Sequence, residues 1–211
     1  MKIYLVRHGL TEENAQRIIQ GWHPGQLSAL GVEQVERLAR RLKELRFDAI
    51  YSSDARRAAD TARIIARHQS APLQLSAELR ERRMGVFQGR PAAEFEQALA
   101  KSGLPASDFT PEGGETLEQL RDRATSFAQA LRARHRRQTL LLVSHGRWNG
   151  MLLATVAGMS PAEGLTLKQT NTCVNILECD ESGGWRIHLL NCAAHLSDDG
   201  ARSIVTSTDN G

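Results

Sequence analysis

Apolar residues recur along this chain in two periods. Three short runs, at 2–6, 48–51 and 139–143, are almost continuously apolar, and each stops abruptly at polar or charged residues. Runs of that length and punctuation predict buried strands. Between them the spacing turns helical. The stretch opened by Ser28 sets Val32, Val35, Leu38, Ala39, Leu42 and Leu45 on one face and charges on the other, which predicts a helix covering a sheet. A second helix is expected over 54–68 with Ser53 or Asp54 as its N-cap, and a third over 115–134 with Leu117, Leu120, Phe127 and Leu131 turned inward. Leu73, Gln74 and Leu75 form a candidate short strand. Residues 173–179 and 185–191, on either side of Asp180–Gly184, predict an edge hairpin.

Alternation of strand and helix implies parallel pairing with right-handed crossovers. The expected fold is therefore α/β, a three-layer sandwich with a mostly parallel central sheet and helices on both faces. From 85 to 114 glycines and prolines break the pattern around one helix at 92–100, which reads as a lid or small insertion over a site. A chain of 211 residues suits one such domain, spanning 1–196, with a polar tail at 197–211.

Composition excludes several partners. Met1 leads straight into a strand and no apolar run approaches membrane length, so a cytoplasmic protein without a membrane partner is expected. Cys173, Cys179 and Cys192 are odd in number and lack C-x-x-C spacing, which argues for reduced core residues over disulfides or zinc. The net charge of +3 could hint at nucleic acid, but only Lys2, Lys43, Lys101 and Lys168 of the 27 cations are lysines, and no aromatic residues interleave with the basic clusters for stacking. No nucleic-acid partner is expected. A homodimer stays open.

The chemistry gathers where strands end. Val6 is followed by Arg7-His8-Gly9, Val143 by Ser144-His145-Gly146, and Tyr51 by Ser52-Ser53-Asp54 with Arg56 and Arg57 in the next helix. Ligands of open α/β sheets bind just outside the carboxyl ends of strands. Free amides of a helix's first turn, beside these arginines, favour an anion there. Two histidines and a carboxylate could also form a facial triad for iron, but Arg7 and Arg57 would repel a dication where they would welcome a phosphate, and no acidic cluster suits magnesium.

Arg7-His8-Gly9 with Asn14, Ser52-Ser53-Asp54 followed by Arg57-Ala58 and Thr61-Ala62, Glu81 with Gly85 and Gly89, and Val143-Ser144-His145-Gly146 together resemble the histidine phosphatase (phosphoglycerate mutase-like) superfamily, from residue 2 to about 192. The stretches 79–85, 109–116 and 169–172 are similar to its small fructose-2,6-bisphosphatase-like phosphatases. The resemblance implies a phosphomonoesterase working through phosphohistidine without metal or cofactor. His8 is the implied nucleophile, which must be neutral with its other nitrogen held by a backbone acceptor. Arg7, Arg57 and His145 would bind the phosphoryl oxygens, with Asn14 as a neutral donor. Glu81 is the implied acid and then base, and must hold a proton near neutral pH; spacing alone would equally allow it to pair with Arg80, Arg82 or Arg83. Thr11, Gln20, Gly21, Gly146, Arg147 and the 85–114 segment are expected around the rest of a small phosphorylated substrate such as a sugar phosphate. A mutase is the main alternative. Family mutases carry a longer segment before the second histidine than the 63 residues between Glu81 and His145, and phosphoglycerate mutases have asparagine where Arg147 stands, so hydrolysis is favoured.

Overall fold

The computed structural model describes residues 1–197. In chain order the elements are β1 (Lys2–Arg7), α1 (Glu12–Ala15), α2 (Ala29–Leu42), β2 (Ala49–Ser53), α3 (Arg56–Ala66), β3 (Leu73–Ser76), α4 (Ala92–Ser102), α5 (Leu117–Arg134), β4 (Thr139–Ser144), α6 (Gly146–Val156), α7 (Pro161–Thr166), β5 (Val174–Cys179) and β6 (Trp185–Cys192). The six strands make one sheet in the order β3-β2-β4-β1-β5-β6. The first four are parallel, and β5 and β6 join as an antiparallel hairpin on one side. This is the α/β sandwich that the alternation of elements implies. The polar tail expected from 197 onward lies, past Ser197, outside the described residues.

Side chains along β1 and β4 alternate between two cores, as a strand buried on both faces requires. Ile3, Leu5, Leu140 and Leu142 face α5 and α6, meeting Leu120, Leu131, Trp148 and Met151. Tyr4, Val6, Leu141 and Val143 face α2 and α3, meeting Val35, Leu38, Ala62 and Ile65. The register pairs Arg7 with Ser144, so the residues that follow, His8 and His145, leave adjacent strands side by side. His8 N–H extends the ladder by one bond, donating to the Ser144 carbonyl at 3.0 Å.

Helix α2 presses close to the turn that carries His8. A Cβ on Gly31 would stand 1.9 Å from the Leu10 carbonyl oxygen, and one on Gly9 would stand 2.6 Å from Val35 Cγ2. Glycine at both places lets helix backbone and turn touch directly, which holds the turn without a long side chain between them.

Several expectations are corrected. Val32, assigned to the buried face of α2, is exposed, because it lies one turn beyond the stripe that Val35, Leu38 and Leu42 form against the sheet. β2 extends through Ser52 and Ser53, both fully buried; Ser52 Oγ donates to the Ser53 carbonyl. Neither Ser53 nor Asp54 caps α3. Its N-cap is Ala55, since Asp54 is drawn into a bidentate pair with Arg80 at 2.7 and 2.5 Å and Ser53 Oγ accepts from Ala55 N–H. Helix α5 begins two residues late, at Leu117, behind a capping box between Thr116 and Gln119. The short helices α1 and α7 and the single turn at 194–196 fall where no period could be read.

Candidate active site

His8 is 3 % exposed, and its imidazole geometry is set from both sides. Nδ1 lies 2.8 Å from the Gly9 carbonyl oxygen, which can only accept, so Nδ1 carries the hydrogen and Nε2 the lone pair. Arg57 Nε donates to that Nε2 at 3.3 Å. Burial first, then Arg57 and Arg7, hold the imidazole well below its ordinary 6.5. His8 is therefore a neutral base whose Nε2 electron pair is fixed in direction and accepts from Arg57.

Arg57, 1 % exposed, is anchored by carbonyls of the loop before α2. Nη1 donates to His23 O at 2.6 Å and Pro24 O at 3.3 Å, and Nη2 to Gly21 O at 2.8 Å. Burial pulls this guanidinium down to about 10, against the opposing pull of Glu81 and Glu13, and it stays a cation at neutral pH. Arg56, one position earlier, points to solvent and pairs with Asp60 at 3.5 Å. The first turn of α3 does not offer a free amide at Arg57, whose N–H donates to Pro24 O at 3.3 Å.

Arg7 Nη1 donates to Gln169 O at 2.6 Å, while its Nε is buried without a protein partner. His145 is fully buried, with its ring centre 5.1 Å from that of His8. Its Nε2 is 2.8 Å from Ser53 Oγ. That hydroxyl already accepts from Ala55 N–H and has its own hydrogen to give, which leaves the His145 hydrogen on Nδ1, an atom with no protein partner. Burial, then Arg57, His8 and Arg7, push this imidazole well below 6.5 as well. A phosphoryl dianion beside it would act in the opposite direction.

Glu81 is held by backbone. Its Oε1 accepts from Arg82 N–H at 2.8 Å and Trp148 N–H at 3.2 Å, and Oε2 from Arg147 N–H at 3.2 Å. Two of these donors are orphan amides in the first turn of α6, a natural place for a carboxylate. Pairing with a neighbouring arginine does not occur. Arg80 is taken by Asp54, Arg82 donates to the carbonyls of Glu115 and Phe109, and Arg83 stacks on Trp22.

Arg7, His8, Asn14, Gln20, Gly21, Arg57, Glu81 and Arg147 all line one cleft of about 430 Å³. A wider groove of about 1040 Å³ at the amino ends of β1 and β4 contains no histidine among its lining residues. Within the cleft, Gln20 Nε2 donates to Thr11 Oγ1 at 2.8 Å, while its Oε1 is buried without a protein partner. His145, Thr11 and Gly146, expected to contact substrate, are not in the cleft wall; His145 lies fully buried beside His8. Thr11 is fully buried and caps α1 through its hydroxyl, and Gly146 opens α6 against the Arg7 side chain. The arrangement also uses residues that sequence reasoning left without a role. Asn171 Nδ2 donates to His8 O at 3.0 Å, Thr61 Oγ1 accepts from Gly9 N–H at 3.1 Å, and Trp22 Nε1 donates to Glu81 O at 2.8 Å.

Three buried histidines whose pKa values burial pushes down, His8, His145 and His195, the last to about 4, make stability depend on pH. The unfolded chain takes up protons below about pH 6.5 that the fold refuses, so stability present above that pH falls as pH drops, by about 1.4 kcal/mol per unit for each histidine. Urea midpoints at pH 7.5, 6 and 5 should decline accordingly. A flat profile would mean that the histidines take up protons as readily in the fold as in the unfolded chain.

Among the described residues no three His, Cys, Asp or Glu side chains are grouped as metal ligands, and no helix is long and apolar enough to cross a membrane. The three cysteines are unpaired, and burial raises the Cys173 thiol to about 11, which leaves it unreactive.

Comparison with known proteins agrees with this geometry. A family model described as the histidine phosphatase superfamily (branch 1) matches residues 3–193. A probable phosphoglycerate mutase GpmB of Proteus mirabilis is 35 % identical, over 94 % of this chain and 96 % of its own length. The solved structure of Bacillus stearothermophilus YhfR superposes with a TM-score of 0.87 at 28 % identity, covering 93 % of this chain and 99 % of that one. A mycobacterial glucosyl-3-phosphoglycerate phosphatase, solved with VO3, superposes at 0.82 with 27 % identity, covering 90 % and 98 %.

Proposed function

We propose, from the premise that the chain belongs to the histidine phosphatase superfamily and is a phosphatase of that kind, that it hydrolyses small phosphomonoesters through a phosphohistidine on His8, without a metal ion. The observation that carries this reading is the His8 imidazole, neutral, with its hydrogen fixed on Gly9 O and its Nε2 lone pair in the cleft beside Arg57. In the first step Nε2 attacks phosphorus, the P–O bond to the alcohol breaks, and Glu81 gives the departing alkoxide its proton. Water then attacks phosphorus, Glu81 takes the proton, and the P–N bond breaks to release phosphate and restore neutral His8. Arg7 Nε and His145 Nδ1, both unpartnered, are available to phosphoryl oxygens, as is the one remaining N–H of Arg57 Nη2.

Glu81 must leave part of its cradle to act. An oxygen that carries a hydrogen accepts fewer N–H bonds, so the acid step is coupled to release of Oε2 from the Arg147 amide, a 3.2 Å contact.

The names of the sequence relatives carry a second reading, phosphoryl transfer within a phosphoglycerate. Hydrolysis is favoured by the phosphatase names among the superposed structures, a glucosyl-3-phosphoglycerate phosphatase among them; Arg147, which gives one Nη1 hydrogen to the Leu165 carbonyl at 2.6 Å, keeps its other N–H groups for a substrate carboxylate and does not separate the two readings. The iron alternative finds less support. Glu81 is turned onto backbone amides, and among the described residues no three His, Cys, Asp or Glu side chains are grouped as a triad requires.

With phosphate charge offset by guanidinium groups and imidazole N–H, turnover should survive exhaustive chelation. Assay of phosphomonoesters with excess EDTA checks this, and activity that disappears and returns only with added iron or zinc would overturn the mechanism. With 3-phosphoglycerate, inorganic phosphate is expected as product; net formation of 2-phosphoglycerate would mark a mutase.

A further inference from the structure

Beyond its charged floor, the cleft is apolar. Ile18 and Ile19 form one wall, Met84 the back, and Phe95 and Leu99 of α4 the other side. Helix α4 buries none of its residues, yet Ala92, Phe95 and Leu99 recur at the helical spacing of a buried face. That face looks into the cleft. Phe95 is fixed there by edge-on contacts with Phe87 and Phe109, at 5.5 and 5.6 Å between ring centres. Backbone bonds tie the two walls together, from Ile19 N–H to Arg90 O at 2.9 Å, Gly89 N–H to Ile19 O at 2.8 Å and Ala92 N–H to Arg17 O at 2.8 Å. The walls are thus a formed surface and not a flap without a footing.

The charged side chains around this surface are partly engaged. Arg82 is 3 % exposed and donates to two carbonyls, Arg147 donates to Leu165 O, and Glu96 at the mouth pairs with Arg17 at 2.8 Å. Arg147 keeps its remaining N–H groups, so a second anionic group on the substrate would meet that guanidinium as well as the Glu96 carboxylate, and charge does not decide the class of substrate. Sugar hydroxyls would lie against aliphatic carbon, where a polar group loses its hydrogen bonds to water without replacement.

We infer that the alcohol half of the substrate is apolar, an alkyl or aryl alcohol, and that Phe95 and Leu99 select for it. This deepens the proposed phosphatase reading and rests on it.

The test holds leaving-group chemistry nearly constant by using primary alkyl esters. 2-Phenylethyl phosphate and hexyl phosphate should exceed glucose 6-phosphate, glycerol 3-phosphate and 3-phosphoglycerate by about 10-fold or more in kcat/KM, the scale on which apolar pockets discriminate. Phe95→Asn and Leu99→Asn should lower kcat/KM for the apolar esters, through KM, at least about 10-fold more than for acetyl phosphate, whose small acyl group does not reach α4. Equal or better turnover of the polar esters overturns the inference, as does a preference that both variants leave intact. Failure of the phosphatase reading is a separate result, the absence of turnover with acetyl phosphate and every ester alike.

Discussion

Replacing His8 with alanine is expected to lower kcat/KM for every phosphomonoester by about 10⁴-fold or more, the scale of loss when the nucleophile of a covalent enzyme is removed. Affinity for inorganic phosphate should change far less. On the proposed mechanism attack needs the Nε2 lone pair, whereas binding falls to Arg7, Arg57 and His145, none of which is positioned by a bond that only His8 supplies. Arg57 in particular keeps three of its four hydrogen bonds, those to the carbonyls of Gly21, His23 and Pro24. Steady-state kinetics with calorimetric phosphate titration checks both halves. Residual activity within about 100-fold of the parent would place the covalent step elsewhere.

Glu81→Gln should separate substrates by leaving group. An alkyl alkoxide needs a proton to depart, so alkyl esters should fall by about 10²–10⁴-fold, while nitrophenolate, a good leaving group, should still be expelled at close to the parent rate. Attack of water then lacks its base, so labelled phosphate should accumulate on His8 as an acid-labile, base-stable adduct, found by rapid quench and peptide mapping. The substitution also puts an amide NH₂ where the carboxylate now accepts from the amides of Arg82, Arg147 and Trp148. One of those donors loses its partner, so a small loss of stability should accompany the kinetic effect. Label on a serine or cysteine, or equal losses for good and poor leaving groups, would remove Glu81 and His8 from these roles.

The layout of the sheet and the meeting of His8 with His145 were legible because strand ends are punctuated. Two apolar runs that each stop at a His-Gly leave few ways to arrange the chain. What holds the reactive groups was not legible. Arg57 is oriented by carbonyls of a loop and Glu81 by amides of a helix end, and backbone atoms belong to every residue type alike. The unread short elements fail for another reason, since a single turn such as 194–196 has no period. It nonetheless buries His195, with Nδ1 3.2 Å from Arg41 Nη1 and Nε2 3.0 Å from Thr172 Oγ1. Thr11 was misassigned because a polar residue beside a reactive histidine can as easily serve the local turn as the ligand.

The place of β1 in the sheet sets the order in which this enzyme can assemble. It is made before every other strand of the sheet, yet its two neighbours are β4 and β5, more than 130 residues further along. At roughly 5–20 residues per second, the ribosome takes on the order of 10 s to supply the nearer one. Helices α2 and α3 and strands β2 and β3 can associate in that interval, because their contacts are local, but the closure that joins β1 to β4 spans most of the chain and is correspondingly slow. The two histidines are brought together by that same closure. The catalytic centre is thus a late product of folding, absent from every partly folded form that lacks the β1–β4 pairing.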